Sequence, residues 1–196
     1  MVRARPVGSR SAEPPRIQPV TEPTPEQLEQ LSSVAGTAPG SKPANIFATL
    51  AHHPRLLRRF NQFGGTLLFR GLLPAREREI VILRVGWNCG SVYEFGQHTI
   101  IGRAAGLADS EVSALAGGDI SQFVEHEQAL IALADDLCSE DSASDATWDQ
   151  LRARWSDAEL VELLVLAGFY RLVAGFLNSA AVQLDPGVPG WPEDVQ

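Results

Sequence analysis

From about Pro43 to Leu184 the apolar residues recur at helical spacing, and strand signals are absent. That pattern limits the chain to an all-α fold. Ile46, Phe47 and Leu50 form one short stretch, and Leu56, Leu57, Phe60 and Phe63 follow in a second that Pro54 opens. Gly64-Gly65 and Gly71 loosen the chain before Pro74. A strong helix is predicted from Ala75 to about Trp87. Its Ile80, Val81, Ile82, Leu83 and Val85 make it apolar nearly all round, which places it in the middle of the domain. Asn88-Cys89-Gly90 breaks it. The next helix opens at Ser91 and runs to about Ala105, with Gly106 as its stop. Further helices begin near Glu125 and Asp145. The last covers roughly Asp157 to Leu184, opened by the capping pair Ser156 and Glu159.

The 196 residues suffice for one ordinary domain, and 44% hydrophobic against 20% charged residues is a globular balance. A net charge of -8 argues against nucleic acid as a partner. No apolar run is read as reaching the roughly 18–20 residues of a membrane span, so no membrane partner is expected. Residues 1–25, with Pro6, Pro14, Pro15, Pro19, Pro23 and Pro25, read as a flexible tail. Their arginines precede no apolar segment and do not make a targeting peptide. Residues 26–187 read as the single domain, and 188–196 as a C-terminal tail.

Cysteine usage narrows the chemistry. Cys89 and Cys138 lie far apart in sequence without CxxC spacing, which excludes a disulfide framework and a cysteine-rich zinc site and points to a cytoplasmic setting. The single lysine, Lys42, sits in a Gly/Ser/Pro-rich stretch and is a poor Schiff-base candidate. Carboxylates, one histidine and hydroxyls remain.

These cluster where the two central helices meet. Glu79 shares a helix face with Ile82, Leu83 and Gly86; burial there would raise its pKa unless it is paired. Glu94 and His98 stand one turn apart on the next helix, beside Phe95, Ile101 and Gly102. A carboxylate and an imidazole so placed can share a proton, hold a water or grip a metal, and the apolar setting is compatible with a small dry pocket. Plainer readings compete. Ser91-Val92-Tyr93-Glu94 fits the S-x-x-E capping box, in which Glu94 only satisfies a backbone N–H. Glu79 fits a solvated first-turn glutamate, His98 a hydrogen-bonded core residue, Cys89 a small packing residue, Arg171 a structural ion-pair partner, and Trp87, Tyr93 and Phe95 core aromatics.

Two segments, Pro74-Ala75-Arg76-Glu77-Arg78-Glu79-Ile80-Val81-Ile82-Leu83-Arg84 and Tyr93-Glu94-Phe95-Gly96-Gln97-His98, resemble the carboxymuconolactone decarboxylase family, which includes alkyl hydroperoxidase D. The resemblance runs over roughly residues 43 to 187, with Phe169-Tyr170-Arg171, Asn178 and Gln183-Leu184-Asp185-Pro186-Gly187. It implies an all-helical domain that assembles into trimers or hexamers, with sites near subunit contacts. In the family's peroxidase branch a glutamate is followed by a C-x-H-C pair and then a histidine. Here Glu79 matches the glutamate and His98 the histidine. Ser91 and Glu94 stand where the cysteines do, and Tyr93 where the intervening histidine does. A CxxC dithiol cycle cannot run at those positions, and Cys89 is read as lacking a resolving partner.

What the resemblance leaves is the acid–base scaffold of a non-redox branch. The expectation is a lyase or isomerase acting on a small carbonyl acid or lactone, with Glu79, Glu94, His98 and Tyr93 catalytic and Ser91, Trp87 and Cys89 contacting substrate. Such chemistry needs a base, an acid and enolate stabilisation, and requires no redox cofactor. Two alternatives are a metal-dependent enzyme using Glu79, Glu94 and His98 as ligands, and a peroxidase-related or non-catalytic oligomeric member. A homo-oligomer is expected, since Gly64-Gly65, Trp87 and the Gly168–Gly175 stretch offer more apolar helix surface than one small domain covers.

Overall fold

The computed structural model describes residues 14–34 and 41–193, and among them it has nine α-helices and no strand. They are α1 (Pro25–Ser32), α2 (Asn45–Leu50), α3 (Pro54–Phe69), α4 (Ala75–Asn88), α5 (Val92–Ala104), α6 (Asp109–Leu115), α7 (Glu125–Glu140), α8 (Asp145–Arg152) and α9 (Asp157–Ala180). The all-α expectation holds.

Helix α4 is the axis of the domain, packed against α5, α7 and α9. Its Ile80, Val81, Ile82, Leu83 and Val85 are fully buried, as a helix apolar on every side requires. Its ionic residues are tied to its neighbours. Arg76 bridges to Glu111 of α6 and Glu127 of α7. Arg84 donates to both oxygens of Asp135 on α7, at 2.6 and 2.9 Å, and to the carbonyl of Leu115. Asn88 adds a 2.7 Å bond to the same Asp135. Between α4 and α5 the chain reverses within three residues, which requires the positive φ of 62° at Gly90.

α9 ends at Ala180, short of the expected Leu184. Ala181 turns left-handed at φ 52°, and the N–H of Val182 closes on the Leu177 carbonyl at 3.0 Å, the backbone pattern that stops a helix. α9 also corrects the reading that no apolar stretch reaches spanning length. Over Asp157–Ala180 its best 18-residue window has a mean hydropathy of 1.9, enough by length and composition alone. Half of that window is buried in the domain, where Leu163, Leu166, Ala167 and Ala174 pack in the core.

The described residues near both termini dock on the domain. Of the expected tail over 1–25, residues 1–13 lie outside the described residues. Arg16 N donates to the Ala180 carbonyl at 2.9 Å and Val20 N to that of Ala48 at 3.0 Å, so the segment from Arg16 onward runs against the fold, and α1 starts at Pro25, capped by Thr24. At the other end, Trp191 stacks edge-on against Trp87 and tilted against Phe95, each with centroids 5.1 Å apart. Residues 188–193 therefore cover α5, while 194–196 lie outside the described residues. A Cβ added at Gly96 would sit 2.1 Å from the Pro189 carbonyl oxygen, a backbone atom. Gly96→Ala should therefore lower stability by about 1–3 kcal/mol in thermal melts. Gly65→Ala, whose Cβ meets nothing within 4 Å, should raise it by about 0.5–1 kcal/mol. Equal effects of the two substitutions would contradict the packing of the C-terminal segment on α5.

Candidate active site

Small residues let α4 and α5 approach closely. A Cβ on Gly86 would lie 3.4 Å from Glu94 Oε1 and the Phe95 backbone, and one on Gly102 would crowd Leu107 and Leu83 and stand 3.7 Å from the Glu79 Cβ. Across this seam Glu79 meets His98. Glu79 is 0% exposed and His98 7%. His98 Nδ1 lies 2.6 Å from Glu79 Oε2, and Arg78 Nε donates to Glu79 Oε1 at 3.0 Å. Burial pushes the Glu79 carboxyl up, but His98 and Arg78 outweigh it and hold the group below the ordinary glutamate range. Burial does raise it, as expected from the sequence, and the pairing with His98 and Arg78 reverses the net shift. An ionised carboxylate only accepts, so His98 Nδ1 carries the proton and Nε2 is left for exchange.

Glu94 is the opposite case. It is 2% exposed, and neither carboxylate oxygen has a hydrogen-bond partner. Burial, with a smaller contribution from nearby Cys89, pushes its carboxyl well above the usual range, so the folded group holds its proton to higher pH than a solvated glutamate does. The capping-box reading fails by half. Ser91 accepts from Glu94 N at 3.4 Å, but Ser91 N donates to the Gly86 carbonyl at 2.8 Å and not to the Glu94 side chain. A glutamate freed from capping and buried without a partner has no role in holding the helix.

Tyr170 of α9 completes the cluster. Its ring stands edge-on to His98, centroids 4.9 Å apart, and burial followed by the charges of Glu79 and Glu94 pushes its phenol well up. The sequence reading missed Tyr170 as a site residue, although Phe169-Tyr170-Arg171 was part of the resemblance. Arg78 was also passed over, since adjacent helical residues do not normally face each other.

Cys89 lies close enough to Glu94 to raise its carboxyl, while the side chains of the other predicted residues have their partners elsewhere. The Tyr93 hydroxyl donates to Asp185 Oδ2 and accepts from Ile46 N at 3.2 Å. Asp185 also accepts from Asn45 N at 2.9 Å and Gln97 Nε2 at 2.8 Å. Tyr93 thereby ties α5 to α2 and to the segment after α9. Ser91 is the fully buried N-cap of α5. Trp87 packs against Trp191 and the backbone at Gly117. Ile101, expected beside His98, is 37% exposed. Arg171 pairs with Asp141 at 2.7 Å. Among the described residues no three His, Cys, Asp or Glu side chains group as metal ligands, so Glu79, Glu94 and His98 are not brought together as a ligand set. The cysteines correct the sequence reading most. Though 49 positions apart, the Cys89 and Cys138 sulfurs lie 4.0 Å from each other, because α7 packs along α4.

With this geometry in view, the fold is that of AhpD-like all-helical proteins. An uncharacterized peroxidase-related protein from Silicibacter superposes with a TM-score of 0.75 at 14% identity, covering 90% of this chain and 96% of that one. An alkylhydroperoxidase AhpD core protein from Ralstonia eutropha gives 0.71 at 19%, covering 93% and 92%. The debrominase Bmp8 in complex with 2,3,4-tribromopyrrole gives 0.69 at 15%, covering 87% and 91%. Within this fold, residues 54–136 match the model of the carboxymuconolactone decarboxylase family. The resemblance drawn from the α4 and α5 segments is borne out, although the matched region ends before Phe169-Tyr170-Arg171. No curated protein matches the chain.

The two glutamates make opposite pH signatures. Unfolded Glu94 ionises near its ordinary pKa of about 4.3, while the folded group holds its proton to higher pH. The folded state thus loses stability as pH rises above that value. Glu79, with a lowered folded pKa, contributes stability at neutral pH that is lost as pH falls through it. In melts between roughly pH 4 and 8, Glu94→Gln should gain on the parent as pH rises, by about 1 kcal/mol or more at the upper end. Glu79→Gln should lose about 3 kcal/mol throughout this range, with the deficit shrinking only below it, as pH falls through the lowered folded pKa. A Glu94→Gln protein whose offset from the parent does not change with pH would show that Glu94 is ionised in the fold.

Proposed function

We propose that the protein is an acid–base lyase or isomerase acting on a small carbonyl acid or lactone. One observation supports this above the others: two buried glutamates, one bonded to His98 and one a helical turn before it, have their carboxyls shifted in opposite directions. Environments that separate the pKa values of neighbouring groups are how a site assigns base and acid. His98, oriented through Nδ1 by ionised Glu79, offers Nε2 as the base. Protonated Glu94 is the acid, and Tyr170 lies close enough to both carboxylates to feel their charge.

The reaction follows from these roles. His98 Nε2 removes a proton alpha to a carbonyl, or the substrate carboxylate leaves as CO2, and negative charge builds on the carbonyl oxygen. Glu94, an un-ionised acid in an apolar setting, donates to that oxygen as the charge develops. The imidazolium is stabilised by Glu79, which in turn is held by Arg78. Loss of either proton carrier should cost about 10²–10⁴ in rate.

A panel of small lactones, keto acids and enol-forming acids, followed by CO2 release and by alpha-proton exchange into heavy water, tests the reading. Turnover by the parent should fall by about 10²–10⁴ in His98→Gln and in Glu94→Gln, with helical circular dichroism retained. Turnover unchanged in both variants would overturn the assignment.

We further propose that the chain works as a homo-oligomer, a trimer or a multiple of it. Val161, Val165, Gly168, Leu172 and Gly175 form an outward stripe on α9, and Val161, Val165 and Leu172 are exposed. Light scattering should give a multiple of three chains, and Leu172→Glu should lower it; a strict monomer at micromolar concentration would refute this.

A further inference from the structure

We propose that Cys89 and Cys138 form a reversible intramolecular disulfide, a thiol–disulfide switch between the end of α4 and the last turns of α7 that takes low-molecular-weight disulfides as its oxidant. The inference does not rest on the acid–base reading. Its basis is the 4.0 Å separation of the two sulfurs, both half-buried and neither in a disulfide. Such a pair is in van der Waals contact, and rotation about Cα–Cβ with a small adjustment brings it toward the bonded distance of about 2 Å.

The surroundings hold the pair in place. Asp135 grips Arg84 and Asn88, five residues and one residue before Cys89, and stands three residues before Cys138 on its own helix. Cys89 N donates to the Val85 carbonyl at 2.8 Å, and Asn178 of α9 donates to the Cys89 carbonyl at 2.8 Å. The backbone on both sides is therefore fixed, and side-chain rotation is what remains. Cys138 is the attacking thiol. Its hydrogen bond with Cys89, helped by the Arg171 guanidinium and against burial and Asp135, holds it below the ordinary thiol range.

The exchange is balanced. The Cys138 thiolate attacks one sulfur of a disulfide R–S–S–R, and the S–S bond breaks to release RS⁻. The Cys89 thiol, losing its proton to solvent, then attacks the Cys138 sulfur of the mixed disulfide and expels the second RS⁻. Two electrons pass from the protein to the small disulfide, which leaves as two thiols, and the protein retains one S–S bond.

The test is incubation of the folded full-length protein with oxidised glutathione at neutral pH, read by intact mass and by thiol titration after denaturation. The expected product has lost two hydrogen atoms, carries no glutathione, has no titratable thiol, runs as a single chain on a non-reducing gel and regains both thiols in dithiothreitol. Cys89→Ser should instead keep one glutathione on Cys138, formed at a rate within severalfold of the parent's first step, while Cys138→Ser should react at least tenfold more slowly. A parent that keeps glutathione, links two chains, or retains both thiols while the same oxidant modifies the denatured chain overturns the proposal. That result depends on neither variant folding, nor on whether the acid–base activity exists.

Discussion

A helix buried on every side cannot carry an unpaired charge, and α4 carries several. Isolated ions in an apolar interior cost several kcal/mol each, so each must meet a partner on whichever element packs beside it. Glu79 finds His98 on α5, Arg84 finds Asp135 on α7, and Arg76 finds Glu111 on α6 and Glu127 on α7. Hydrophobic packing is non-directional and would let α5 or α7 slide along α4. These ionic contacts occur at fixed registers and so select one arrangement. The same register brings the Glu79–His98 pair together and sets the two cysteines side by side.

Glu94 stands against that rule, which is why it matters. The paired ions of α4 each explain themselves structurally: remove one partner and a buried charge is left. Glu94 explains nothing structurally. Ser91 already caps α5, Gly86 makes room for the Glu94 carboxyl, and neither of its oxygens is bonded. A leucine there would pack and avoid the desolvation cost. A buried acid with a raised pKa in such a place, with the small residue opposite that its oxygen needs, is a cost to stability that the proposed acid role would account for.

The parts of this molecule legible in the sequence are those governed by local spacing. Helices α4 and α5, the stop at Gly106, the Ser156–Glu159 cap and the shared faces of Glu79, Glu94 and His98 all follow from periods and end signals within a few residues. The illegible parts depend on partners far along the chain. Tyr93 looked like a site residue because it neighbours Glu94 in sequence; its hydroxyl belongs to Asp185, 92 positions away. Cys89 looked isolated because no cysteine lay within a turn. The S-x-x-E spacing suited a capping box equally well, and only the backbone bond from Ser91 to Gly86 decided against it. The N-terminal prolines did not prevent docking either, since Arg16 and Val20 use backbone N–H groups that proline's neighbours retain.

Helix α5 shows how these long-range partners bear on the site. One of its faces carries Glu94 and His98 toward α4 and α9, while Tyr93, Gly96 and Gln97 lie on another, under the segment after α9. Asp185 receives Tyr93, Gln97 and the Asn45 backbone at once, so α2, α5 and the segment after α9 are locked around a single carboxylate. Pro189 then seats against Gly96, and Trp191 against Phe95 and Trp87. A helix pressed from outside by this closure cannot shift outward from α4, and without such restraint the seam at Gly86 and Gly102 would be free to widen. The close approach that holds His98 on Glu79 at 2.6 Å and strips Glu94 of water thus depends on residues nowhere near the acid–base cluster. In this fold the face of α5 that carries Glu94 and His98 and the face that Asp185 and Pro189 hold are one mechanical unit.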